Sequence, residues 1–130
     1  MNESILTTIK KMLGIEEDYE AFDTDVMAHI NTVFMTLNQL GVGPEGGFSI
    51  SGKSETWYGF TENIKFFNAV KTYIYLKVKL VFDPPTSSFV TESMRKEINE
   101  LEWRLAHQAE APHVPDEDSI SFEEIDDLFE

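Results

Sequence analysis

Residues 61 to 85 read TENIKFFNAVKTYIYLKVKLVFDPP, and whether this run is a strand or a helix decides the fold. Ile64, Phe67, Val70, Ile74, Val78 and Val81 recur at three- and four-residue steps that fit a helical face, while TYIYLKVKLVF also alternates as a strand would. The run is too long for an ordinary strand, so length selects a helix. Asp83-Pro84-Pro85 ends it, because prolines carry no backbone N–H and each turns its predecessor away from helical geometry. The helix is expected to stop near Phe82, and the dipeptide to form a corner between two long helices.

Beyond the corner, Thr86, Ser87 and Ser88 offer capping hydroxyls, and Met94, Ile98, Leu101 and Leu105 make a 4-3-4 apolar stripe on a last long helix. Glu92 with Lys96 and Glu100 with Arg104 stand four apart on its solvated side, each pair worth roughly a few tenths of a kcal/mol. Trp103 lies off the stripe, among Lys96, Asn99 and His107. So large an aromatic needs cover, either from another helix or the 41 to 59 segment of its own chain, or from a neighbouring subunit.

Upstream, ESILTTIKKMLG places Ile5, Ile9, Met12 and Leu13 on one face of a short helix that stops at Gly14. After the acidic link EEDYEAFDTD, Asp23 or Thr24 is the expected N-cap of a second helix, carrying Val26, Ile30, Val33, Phe34, Leu37 and Leu40 up to Gly41. Between Gly41 and Gly59, Phe48 and Ile50 alternate with serine before the turn-like SGKS, which predicts a short β-hairpin or an ordered loop. The fold expected is all-α: a small bundle of about four helices, with that hairpin or loop between the second and third, and an acidic tail.

At AEAPHVPDEDS the composition turns to proline, histidine and acid, so a helical domain over residues 1 to 111 and a tail over 112 to 130 are expected. The tail ends in SISFEEIDDLFE, where Phe122, Ile125, Leu128 and Phe129 share one side of a potential short helix and Ser121 and Glu124 are spaced as a capping box. Such a segment folds on a partner surface that is apolar in its floor and basic at its rim.

The formal charge of −14 is concentrated there. No lysine or arginine follows Arg104, and nine of the acids lie between Leu105 and Glu130. Tight phosphate binding needs clustered Lys and Arg, which this chain does not supply, so a nucleic-acid clamp is excluded while an acidic wall past which nucleic acid slides is not. With no cysteine there is neither a disulfide framework nor a thiolate metal site. The N-terminus does not read as a secretory signal, and Lys71, Lys77 and Lys79 interrupt the most apolar run, which predicts a soluble protein with no membrane contact.

Motifs for catalysis or cofactors are weak. GVGPEG at 41 to 46 matches GxGxxG literally, but it follows a helix and reads as a helix stop and turn. EEDYEAFDTD resembles a calcium loop in its acids, yet Ala28 stands where the invariant glycine belongs, and Asp23 and Asp25 are better explained as acids at a helix N-terminus. His29, His107 and His113 have no metal-ligand spacing, and no serine sits in a GxSxG turn. No enzyme activity, catalytic residue, metal or cofactor is expected.

The order IKKMLGI, AFDTDVMAHINTVFMTLNQLGVGP, VKTYIYLKVKLVFDPP with SSF, and INELEWRL resembles the head-to-tail connector (adaptor) proteins of tailed bacteriophages and their prophages, over about residues 3 to 105. The resemblance implies an all-helical subunit forming a ring of about twelve copies below the portal protein, in the virion after assembly in the host bacterial cytoplasm. Such a ring extends the channel through which DNA passes without specific binding, and gives tail or head-completion proteins a docking platform. The partner-interface residues expected are Trp103, Phe122, Ile125, Leu128 and Phe129. The competing class is an acidic nucleic-acid mimic that inhibits a host DNA-binding partner, and it would spread its acids along one folded face rather than in a tail.

Overall fold

The computed structural model describes residues 1–110, which form five α-helices and no strand: α1 Ile5–Met12, α2 Asp23–Gln39, α3 Trp57–Phe60, α4 Ile64–Phe82 and α5 Ser88–Glu110. The all-α expectation holds, with one more helix than expected. Phe122, Ile125, Leu128 and Phe129 lie outside the described residues.

Local chemistry sets the helix ends. The Ser4 hydroxyl accepts from the Thr7 N–H at 3.2 Å to open α1. At the end of α2, Gly41 takes the left-handed conformation with φ +81, so its N–H reaches Asn38 O at 3.0 Å and the Val42 N–H reaches Leu37 O at 2.8 Å. This pair of bonds closes the last turn and folds Val42 back into the core beside Leu37. Gly14 closes α1 in the same way, with Ile15 N–H on Lys10 O.

The start of α2 departs from expectation. Phe22 occupies the cap position and no side chain caps the helix. Asp23 is the first helical residue, and its carboxylate is turned to Lys10 instead of to its own backbone.

α4 sits among the other long helices, packed on α2, on α5 and on α1. This resolves its double periodicity: Val70, Tyr73, Ile74, Leu76 and Val78 are all buried because more than one side of the helix is covered. Ile64 and Val81, placed on the inner face by spacing, are exposed in the first and last turns, while Tyr73 and Leu76 take core places instead. The buried Tyr73 hydroxyl donates to Glu102 Oε2 on α5 at 2.9 Å, and burial followed by that carboxylate pushes the phenol far above its ordinary pKa.

The Asp83-Pro84-Pro85 corner ends α4 at Phe82 as expected. The Asp83 carboxylate pairs with Lys79 at 2.7 Å, and Ser87 supplies the cap of α5 by accepting from the Val90 N–H. The α5 stripe faces inward, with Ile98 and Leu105 buried and Met94 and Leu101 half-buried. Burying two such side chains contributes about 1.5 to 3 kcal/mol each. Of the two surface pairs, Glu100 and Arg104 meet, whereas Glu92 and Lys96 form no ion pair among the described residues.

No hairpin forms between Gly41 and Gly59; the segment is an ordered loop up to Thr56, after which α3 begins. The alternation of Phe48 and Ile50 had a different cause. The Asn31 side-chain amide donates to Ile50 O at 2.9 Å and accepts from Ile50 N–H at 2.8 Å, so one helix side chain does for Ile50 what a neighbouring strand would do. Phe48 then packs on Phe34 and Phe60, with ring centroids 5.1 and 5.6 Å away. α3 follows as a single turn that buries Trp57, whose indole N–H donates to Thr8 Oγ1 at 3.1 Å.

Candidate assembly surface

Lys10 is the only charged residue buried among the described residues, at 1% exposure. Its ammonium donates to Glu17 O at 3.0 Å and Tyr19 O at 2.7 Å, and meets Asp23 Oδ1 at 2.8 Å. Two backbone carbonyls accept its protons, and the Asp23 carboxylate neutralises its charge as an ion pair without taking a third hydrogen bond. The EEDYEAFDTD stretch is therefore organised around a cation, and that cation is a lysine supplied by α1.

Wrapping the loop around Lys10 turns its aromatic side chains outward. Tyr19 and Phe22 are both exposed, with centroids 5.6 Å apart, and Phe22 stands edge-on to Phe82 at 5.3 Å. Glu16, Asp18 and Asp25 are exposed around them. The result is an aromatic patch with an acidic border at the end of the molecule where α4 turns into α5.

The second exposed aromatic set lies on α5. Trp103 is 66% exposed and stacks on His107 with centroids 5.1 Å apart and planes 5° from parallel. Neither another helix nor the 41 to 59 loop covers it, so of the two readings the sequence allows, cover from its own chain is absent among the described residues. Phe89 is 78% exposed. At about 100° per residue the fourteen residues from Phe89 to Trp103 bring both to within about 40° of one another around the helix. Phe89, Ser93, Lys96, Glu100, Trp103 and His107 thus follow a 4-3-4-3-4 spacing, and all six are exposed. This is the spacing of a helix-packing seam, on the side of α5 away from α4. The sequence reading had Trp103 and missed Phe89, although its spacing of seven residues from Lys96 and fourteen from Trp103 was available.

No group of three or more histidines and acids among the described residues could hold a metal ion, and none of the described helices is long and apolar enough to cross a membrane. His29 and His107 stand on separate helices, and GVGPEG forms the turn after α2.

A family model described as phage connector protein matches residues 5–112. No curated protein and no solved structure matches the chain.

Proposed function

The chain belongs to the phage connector protein family, whose role is structural, and we propose that its copies close into a ring below the portal, extend the DNA channel and present a platform for tail or completion proteins. The observation that carries this reading is the outer face of α5: a helix buried along one side that leaves Trp103 and Phe89 uncovered along the other. Large exposed aromatics in a packing register are the anchors an intersubunit contact uses.

A closed ring joins unlike surfaces head to tail, so each copy must carry two. The α5 face is one, and the Tyr19–Phe22 patch pinned by Lys10 is the other. The division at Ala111 into a helical unit and an acidic tail belongs to the same proposal, with Phe122, Ile125, Leu128 and Phe129 as the tail's docking residues on an adjacent subunit or the portal. The virion is the destination, and the base-poor composition suits a channel wall that DNA passes without sticking. On the mimic reading the acids would line one folded face, whereas α5 mixes Glu92, Glu97, Glu100 and Glu102 with Arg95, Lys96 and Arg104.

Mass measurement of the purified protein, alone and mixed with the portal of the same phage, tests the proposal. A monomer or weak oligomer that becomes a ring on the portal is the expected result; a tight dimer indifferent to the portal would overturn it.

A further inference from the structure

Between α1 and α4 runs a groove of about 290 Å3 that no other element among the described residues fills. Met12 and Phe67 form its floor, Phe67 resting edge-on against the buried Trp57 with centroids 5.4 Å apart. Lys11 and Lys71 stand on its rim, the Lys71 ammonium 5.0 Å from the Phe67 ring centroid. Among the described residues Glu3 is the one acid lining the groove and has the N-terminal ammonium at 2.9 Å, while Lys11 also lies 3.7 Å from Glu17 Oε2 in an exposed, weak pair. In a chain of formal charge −14 this is a locally basic groove with an apolar floor.

We propose that the groove is the receptor for the chain's own C-terminal segment, SISFEEIDDLFE, residues 119 to 130. The inference rests on the reading of the acidic end as a docking element, and names the surface it docks on. Complementarity is the first argument. Phe122, Ile125, Leu128 and Phe129 supply the apolar side, and Glu123, Glu124, Asp126, Asp127 and Glu130 supply charges for Lys11 and Lys71. The acidic Tyr19–Phe22 patch, by contrast, would repel the same segment.

Reach is the second argument. The Tyr73–Glu102 hydrogen bond shows that α5 runs back along α4 from the corner, which brings its last turn toward the end of the bundle where α4 begins, the end that holds Phe67. Residues 111 to 118 then span up to about 27 Å when extended, more than the width of two packed helices. The segment can therefore reach the groove of its own chain or of an adjacent one.

A labelled peptide of residues 112 to 130 is titrated onto the full-length protein and onto a chain ending at Ala111. Among the described residues the core cluster runs from Ile5 to Leu105, and the shorter chain retains every one of these. Saturable binding is expected, weakening with salt, falling by about tenfold or more in a Lys11→Glu/Lys71→Glu variant of unchanged melting temperature, and regained when Asp126 and Asp127 of the peptide are replaced by lysine. Stronger binding by the shorter chain places the segment in its own groove, and equal binding by both places it in a neighbour's; either supports the pairing. Absence of binding to both chains, or binding untouched by the Lys11→Glu/Lys71→Glu change, overturns it. Ring formation on the portal is a separate readout, so a failed pairing and a failed ring are told apart.

Discussion

Replacing Lys10 with methionine tests the origin of the aromatic patch without touching any residue on it. Methionine keeps the apolar stem in place and removes the ammonium that joins Glu17 O, Tyr19 O and Asp23. Removing one partner of a fully buried ion pair costs about 3 to 5 kcal/mol, because the other charge is left without compensation. Here Asp23 retains 16% exposure, so water relieves part of that penalty. The expected loss is about 2 to 3 kcal/mol, a large share of the ~5 to 15 kcal/mol by which such a domain is stable. Urea denaturation followed by far-UV circular dichroism measures it as a lower midpoint at unchanged slope. Asp23→Asn should cost less, about 1 to 2 kcal/mol, since the ammonium keeps both carbonyls. The double variant should cost less than the sum, because the two residues share one interaction. A Lys10→Met protein within about 0.5 kcal/mol of the parent would refute the reasoning and place the loop's order elsewhere.

Trp103→Ala should leave the melting temperature nearly unchanged, since the side chain is mostly in water, and should weaken ring formation on the portal by ~2 kcal/mol or more per contact, read from the subunit concentration needed. Replacing Pro84 and Pro85 with alanine should lower stability by about 0.4 to 1 kcal/mol each while helix content by circular dichroism holds, because the prolines act on the unfolded chain as well as on the corner; unchanged melting would show the corner to be passive. Gly43→Ala should destabilise by about 2 kcal/mol or more in thermal melts, because φ is +97 and the new methyl would collide with the Phe60 ring.

What the sequence made legible is what short-range chemistry decides. Gly14 and Gly41 stop helices by themselves, Pro84 and Pro85 forbid one, and the α2 and α5 stripes show a single buried face because each of these helices is covered mainly from one side. α4 was harder to read, being covered from several sides, so its burial pattern matches neither a single helical face nor a strand and its two end residues, Ile64 and Val81, fall outside the core. Two side chains escaped because their partners are backbone atoms distant in sequence. Nothing in IKKML separates the buried Lys10 from the exposed Lys11, since the difference is made by the carbonyls of Glu17 and Tyr19. Likewise Asn31 looks like an ordinary polar helix residue until Ile50 is placed against it. Trp57 lies in a one-turn helix too short to show a period. Phe89 was passed over because the apolar stripe of α5 was sought only on its inner side.

The two exposed aromatic sets also bear on the symmetry of assembly. A two-fold dimer needs one self-complementary patch, whereas a ring needs two patches that fit each other and not themselves. The α5 face and the Tyr19–Phe22 patch are unlike in chemistry: the first has both Lys96 and Glu100 among its aromatic residues, the second has the acids Glu16, Asp18 and Asp25 around its own. Such a pair favours head-to-tail contact over like-with-like contact. A subunit with Trp103→Ala keeps one good surface, and a subunit with Phe22→Ser keeps the other. Mixed in equal amounts with the portal, the two variants share one intact type of contact, from the Tyr19–Phe22 patch of the first to the α5 face of the second. Growth should therefore halt at pairs, which native mass spectrometry separates from rings. Complete rings from the mixture would mean that one of the two patches plays no part in closure, and pairs formed by either variant alone would mean that the contact is self-complementary.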